Sequence, residues 1–262
     1  MKKCSTAVEA ATGVASKTGM TARENEFGQP IGAALPGWKP VPRPPRDPLV
    51  GRACAIEALV PARHAAALHA AFAEDKTGES WTYLSYGPFP KRSAFEQWLV
   101  ATCLGDDPLF HAVLDRPGGT AIGMASYLRI DPPAGVIEIG HIHFAPRLQR
   151  TLAATEALYL MMRRVFEELG YRRYEWKCDA LNAPSRRAAL RLGFAFEGIF
   201  RQATVYRGRN RDTAWYSIID GDWPALKRAY ENWLDPANFD AAGGQRRRLA
   251  ALIAAERGAP PA

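Results

Sequence analysis

Glu138 is a lone carboxylate in a run, residues 136–144, that is otherwise apolar, glycine or histidine. A charge in such a segment is costly unless it meets a wet cleft or a partner. In a cleft it could take a proton from a bound group; the competing outcome is a salt bridge at the strand end. Beyond Pro146 the side chains become compact: Thr151, Ala153, Ala154 and Thr155 follow Gln149 and Arg150. Small residues in the first turn of a helix leave its unpaired amides open to a diphosphate, and the partial positive charge there favours one. Gln149 and Arg150 would add polar and cationic contacts at the rim. Further on, Asn182 is placed to cap a short helix with Pro184 in its first turn, and Ser185 offers a hydroxyl. Read singly, these last two are a cap and an exposed helix hydroxyl.

The elements that must position these groups follow from periodicity. Residues 136–144 read as a strand buried on both faces, ended by Pro146. Ala157, Leu158, Leu160, Met161, Val165, Phe166 and Leu169 recur at helical spacing until Gly170. A strand over 171–178 and a helix over 185–192 follow, stopped by Gly193. Upstream, 52–59 reads as a strand, 61–72 and 93–104 as helices, and 109–114 and 121–130 as hairpin strands; 196–206 and 213–219 form a last hairpin. His141 and His143 are two apart, so both should share a sheet face opposite Glu138, Gly140 and Ile142. No third ligand stands at metal spacing, so no metal is expected. Residues 77–90 form a loop dense in aromatics, with Trp81, Tyr83 and Tyr86 as candidate substrate contacts or as anchors of the loop.

Taken together, residues 138–194 resemble the GNAT superfamily of acetyl-CoA-dependent N-acetyltransferases, most closely its RimJ/RimL-like branch. The branch's phosphate loop, Q/R-x-x-G-x-G/A followed by A-T-E-A, is matched by Gln149, Ala154 and the run Ala153, Ala154, Thr155, Glu156, Ala157. Leu152 stands where the central glycine would be, which bears on how closely a pyrophosphate approaches that amide. The second signature, N-x-x-S followed by L-G-F, stands intact as Asn182, Ser185 and Leu192, Gly193, Phe194. The resemblance implies an α/β fold with a mixed, mostly antiparallel central sheet flanked by helices, and acetyl-CoA as co-substrate. The acceptor would be a primary amine, on a protein N-terminus or a small molecule, acetylated by direct transfer. Glu138 would be the base, often acting through water. Ser185 would serve the leaving thiolate, because the family's usual tyrosine position is Ala189, and Asn182 would orient pantetheine or substrate. The backbone of Ile142, His143 and Phe144 would pair with the pantetheine amides. Gln149, Arg150, Thr151, Leu152, Ala153, Ala154, Thr155, Asn182, Ser185 and Arg187 would contact the coenzyme. Trp81, Tyr83 and Tyr86 would shape the acceptor site.

The chain has 262 residues, 47% of them hydrophobic, enough for one sizeable core with extensions. Residues 1–22 are expected to be disordered, 23–50 to form a proline-rich extended arm, 51–220 the catalytic domain, and 221–262 a helical extension with helices over 223–234 and 245–256. No apolar run is long enough for a membrane span. The cysteines are widely spaced with no C-x-x-C pattern, which fits reduced thiols in the cytoplasm. The net charge of +7 is carried mainly by arginines, several of them near the expected diphosphate site. Nucleic acid is not expected as a partner, since no nucleic-acid motif accompanies the charge. A homodimer is left open. The rival readings are a CoA- or partner-binding module of the same fold without turnover, and a ribosome- or RNA-associated protein.

Overall fold

A computed structural model describes residues 23–116 and 118–258. The expected disordered segment, 1–22, lies outside the described residues. The chain divides into two units, residues 1–39 and 40–262. In the first, a small hairpin replaces the plain extended arm: β1 (Arg23–Glu24) pairs antiparallel with β2 (Pro30–Ile31). The Asn25 side chain builds its turn, with Oδ1 accepting from the amides of Phe27 and Gln29 at 3.0 and 2.9 Å. Asn and Asp favour such turns because their short side chains reach backbone amides two to four residues on.

The second unit is a mixed α/β structure. β3 (Leu49–Val50), β4 (Cys54–Ala58), helix α1 (Pro61–Phe72), helix α2 (Arg92–Thr102), β5 (Leu109–Asp115), β6 (Ala121–Asp131) and β7 (Val136–Phe144) follow in chain order. Then come helix α3 (Leu152–Arg163), β8 (Arg173–Asp179), helix α4 (Ala183–Arg191), β9 (Ala195–Tyr206), β10 (Arg209–Ile219), helix α5 (Trp223–Leu234) and helix α6 (Leu249–Glu256). Among the described residues they form an eight-stranded sheet in the order β3-β4-β5-β6-β7-β8-β10-β9. Every strand pairing in it is antiparallel except β7 with β8. That exception has a cause in the chain: α3 intervenes, and a crossover helix returns the chain to the end of the sheet from which β7 began. The expected helix over 245–256 is shorter, because the amides of Arg246 and Arg247 instead bond to Asn238.

Alternation along β5 assigns the faces. Phe110 meets Trp98 of α2, while its neighbour His111 meets Tyr127, whose hydroxyl donates to the Met161 carbonyl of α3 at 2.8 Å. Helices α2 and α3 therefore cover opposite faces. The C-terminal extension seals the α3 side: Tyr159 and Phe166 stack on Trp223, Tyr159 also stacks on Tyr230, and the Tyr230 hydroxyl donates to the Leu192 carbonyl.

Glu156, the glutamate of the A-T-E-A run, is structural. Buried within α3, its carboxylate accepts from the amides of Arg52, Ala53 and Cys54 at 2.9, 2.7 and 3.0 Å, tying the β3–β4 turn to the helix. A Cβ at Gly51 would lie 2.5 Å from that carboxylate, so the turn needs glycine there. Glu156→Ala leaves three amides without an acceptor. It is expected to cost about 3 kcal/mol or more, read as a lowered urea midpoint; an unchanged midpoint would remove Glu156 from the scaffold.

Candidate active site

Strands β7 and β8 are paired only at Val136–Arg173, Ile137–Tyr174, Glu138–Glu175 and Ile139–Trp176. Beyond that they part. The cause lies on the other edge of β7, where the register with β6 shifts: Met124 pairs with His143, but Ser126 pairs with Gly140. One extra residue is absorbed at His141, which takes φ = +51°. Such a bulge bends its strand away from its partner.

The bulge also corrects the expected parity. His141 does not face away from Glu138; its ring packs on Phe110 and stacks on Tyr86, and it lines the same cleft as Glu138. His143 is buried against Phe72 and Trp81.

The cleft holds about 390 Å³ and opens where the strands separate. Glu138, His141 and Ile142 line it from β7, Trp176 and Lys177 from β8, and Asn182 and Ser185 from α4. Tyr83 and Tyr86 reach it from the aromatic loop, Thr204 and Tyr206 from β9, and Arg211 from β10.

Glu138 is 3% exposed, with Oε2 2.7 Å from Arg129 Nη1 and 2.9 Å from Lys177 Nζ. Burial raises its carboxyl above the ordinary range, against the pull of Lys177 and Arg129. The ion pairing continues across the sheet: Lys177 meets Glu175 at 2.7 Å, and Arg173 bridges Glu175 and Glu197. Lys177 also lies 3.8 Å over the Trp215 ring. Glu138 is thus both a cleft carboxylate and one rung of a ladder of alternating charge.

Across the cleft, Asn182 caps α4, its Oδ1 accepting from the Ser185 amide at 3.1 Å. Trp176 Nε1 donates to Ser185 Oγ at 3.0 Å, and the Cys178 thiol lies beside the same hydroxyl. Ala189, at the position where the family's usual tyrosine was expected, is fully buried.

The phosphate-loop residues lie outside this cleft, at the start of α3. Thr151 caps the helix by accepting from the Ala154 amide at 3.1 Å, and its hydroxyl donates to the Leu148 carbonyl. Gln149 donates to the Phe144 carbonyl, and Arg150 takes φ = +62°. The first-turn amides of Leu152 and Ala153 have no intrahelical acceptor. Leu152 packs its side chain on the core, so the departure from glycine is absorbed inward. These features fit a coenzyme diphosphate. Thr155 departs from expectation: it is buried, and its hydroxyl accepts from Arg191. Arg187 is exposed on α4.

Trp81 is likewise displaced from its expected role as a substrate contact. It is 4% exposed and packs edge-on to Phe72 and Phe89 beneath Gly87, where φ is +69° and a Cβ would lie 2.2 Å from the indole. Tyr83 and Tyr86 do line the cleft: the Tyr83 hydroxyl donates to the Leu181 carbonyl, and the Tyr86 hydroxyl is 3.1 Å from His141 Nδ1. Arg207 donates to the Tyr86 and Gly87 carbonyls, and Arg209 to that of Thr82, so the β9–β10 hairpin roofs the aromatic loop. Arg129, Lys177, Asp179, Tyr206 and Arg211 were not singled out from the sequence as site residues. The available signal was Glu175, Lys177 and Asp179 at every second position of one strand, a charged stripe on a face that a core strand would keep apolar.

The model of the family described as acetyltransferase (GNAT) domain matches residues 56–195. A crystal structure of a GCN5-related N-acetyltransferase from Brucella melitensis is 49% identical, covering 84% of this chain and 99% of that one, with a TM-score of 0.82. A GNAT-family acetyltransferase structure from Chromobacterium violaceum is 43% identical, covering 75% and 98%, with a TM-score of 0.70. A structure described as a ribosomal-protein-serine acetyltransferase from Vibrio cholerae shares the fold at 24% identity, covering 67% and 98%, with a TM-score of 0.58. No curated protein matches the chain. The chain belongs to the GNAT family of acetyltransferases. Among the described residues no helix is long and apolar enough to cross a membrane, and no group of His, Cys, Asp and Glu is arranged to hold a metal ion.

Burial pushes His111, His141 and His143 down to about 4. Each is depressed in the folded state, so its contribution to stability is present above about pH 6.5 and is lost as pH falls toward 4. Each adds a slope of about 1.4 kcal/mol per pH unit in that window. Glu138, with its carboxyl raised, works in the opposite sense and offsets at most one such slope. The urea midpoint is therefore expected to fall steeply between pH 7 and pH 5; a flat profile would contradict the buried, neutral imidazoles.

Proposed function

We propose that this chain moves an acetyl group from acetyl-CoA to a primary amine by direct transfer. The observation that carries this reading is the parting of β7 and β8, which sets Glu138 on one wall and Ser185 on the other while β7 leads into the open amides of α3. Acetyl-CoA supplies a thioester whose carbonyl carbon accepts the amine and whose sulfur leaves. The amine must be neutral to attack, and Glu138, with its proton affinity raised by burial, takes the proton directly or through water. As the N–C bond forms and the C–S bond breaks, the electron pair passes to sulfur, and the Ser185 hydroxyl offers it a hydrogen bond or a proton. Asn182 holds Ser185 in place by capping α4, and backbone at Ile142, His143 and Phe144 faces the gap for the pantetheine amides. Cys178, buried and with its thiol raised by that burial, is no ready nucleophile, which favours direct transfer over an acyl-enzyme.

The RimJ/RimL-like branch is favoured by the N-x-x-S and L-G-F signatures at Asn182, Ser185 and 192–194. A cytoplasmic setting is favoured by the free, buried thiols of Cys54, Cys103 and Cys178. The catalytic unit spans about 51–220, with α5 and α6 as its added cover.

Glu138→Gln is expected to lower kcat/KM for the acceptor by about 100-fold or more, while acetyl-CoA still binds in isothermal titration. Wild-type kcat/KM should rise with pH as Glu138 ionises, and the variant should lose that limb. A variant with wild-type kcat and pH profile would leave Glu138 as ion-pair scaffold alone. If wild-type protein does not bind acetyl-CoA, the reading gives way to a partner-binding module.

A further inference from the structure

The charges that line the cleft are unevenly matched. Its lining carries Arg129, Lys177 and Arg211 against Glu138 and Asp179. Glu138 is already matched by Arg129 and Lys177. Asp179 is also engaged: Oδ1 accepts from the Leu181 amide at 2.8 Å and Oδ2 from the Tyr206 hydroxyl at 2.9 Å. The lining thus carries three cations against two carboxylates, and both carboxylates already accept hydrogen bonds.

Arg211 is in the opposite condition. It is half-buried on β10, two residues beyond the Thr213–Asp179 pair, on the side of the cleft formed by the β9–β10 hairpin and the aromatic loop. Its Nε donates to Thr213 Oγ1 at 3.2 Å, and its plane approaches the Tyr206 ring at 6.0 Å. Among the described residues no carboxylate lies within salt-bridge distance of it, and its two terminal nitrogens have no hydrogen-bond acceptor. This differs from the neighbouring hairpin arginines, Arg207 and Arg209, each of which commits one terminal nitrogen, Nη2, to loop carbonyls. A guanidinium whose stem is fixed at Nε and whose two outer nitrogens are unspent presents the fork that matches a carboxylate in two parallel hydrogen bonds.

Resting on the acetyltransferase reading above, we propose that the acceptor is an amine carrying a carboxylate, bound by the terminal nitrogens of Arg211 while its amine faces Glu138. The carboxylate supplies the one charge the lining lacks. Polyamines bring a second cation to a lining that already holds one more cation than acid, so charge disfavours them. The transfer itself is unchanged: the amine nitrogen gains the acetyl carbon, its proton passes to Glu138, and the thiolate leaves.

The test has three arms on the full chain. Calorimetry with acetyl-CoA reports whether the coenzyme binds. Thiol release is then measured with amino acids bearing a free carboxylate, with short peptides having Asp or Glu beside the N-terminus, with neutral amines, and with spermidine. Within this second arm, the first two substrate classes distinguish a free amino acid from a peptide end as the source of the carboxylate. The third arm repeats the assay on Arg211→Gln, Arg211→Lys and Arg211→Glu, with circular dichroism and acetyl-CoA titration reporting that each variant is folded. Wild-type protein should favour the carboxylate-bearing amines. Arg211→Gln should raise their KM by about 10- to 100-fold, Arg211→Lys should restore part of it, and Arg211→Glu should shift preference toward cationic amines. Acetyl-CoA binding with preference for spermidine or neutral amines, or a substrate ranking unmoved by Arg211→Gln, overturns this inference and leaves acetyl transfer standing. Absence of acetyl-CoA binding overturns both.

Discussion

The site exists because two strands that are held together for four residue pairs are then prevented from continuing. The extra residue at His141 spends β7's register on its antiparallel partner, and the parallel partner is left behind. Everything functional follows from that divergence. An open strand edge appears inside a sheet that otherwise has none there, and unpaired backbone in a protein interior is tolerated only where something is meant to pair with it. The same bend leads β7 toward the start of α3, so the open edge and the open helix amides belong to one continuous stretch of chain.

A cleft cut into a sheet admits water to a face that would otherwise be sealed by helices, and the side chains there reflect it. On β8, Tyr174 and Trp176 face the α3 side and are packed by Phe166, Phe194 and Ser185, while Glu175 and Lys177 face the cleft side and carry charge. The charges are arranged so that none stands alone: Arg129, Glu138, Lys177, Glu175, Arg173 and Glu197 alternate in sign across β6, β7, β8 and β9, and Ser217 of β10 donates to the far end. Burying charge is affordable only with such compensation. Glu138 can therefore be both held and reactive: its neighbours keep it ordered, while burial lifts its proton affinity.

Much of this was legible in the sequence, for identifiable reasons. The strand over 136–144, helix α1, the Asn182 cap and the order of the elements follow from local periodicity and turn chemistry, and all appear in the structure. What local pattern could not supply was anything set by a partner. Gly140 stands inside the strand pattern, but the extra residue and the positive φ fall on His141, and alternation alone gives that histidine the wrong face. The aromatic loop offered Trp81, Tyr83 and Tyr86 as equals, yet only packing decides that Trp81 goes under Gly87 and the tyrosines face the cleft. The glutamate of the A-T-E-A run looked like part of a coenzyme motif, and its task is to hold three amides of a distant turn. The hairpin at 23–31 was missed because one asparagine, in a stretch of prolines and glycines, organises it.

The ladder of alternating charge has a consequence for how this protein can change over generations. Each interior rung touches an opposite charge on both sides, so replacing one member leaves each neighbour with half of its pairing. Single charge reversals at Lys177 or Glu175 are therefore costlier than exchanges made in pairs, which keep the sum intact. Descendants of this chain should drift freely on exposed helices and move on this face mainly by coupled replacements. The record of the ladder in related sequences would then be correlated variation between adjacent strands, with no need for any single position to be invariant.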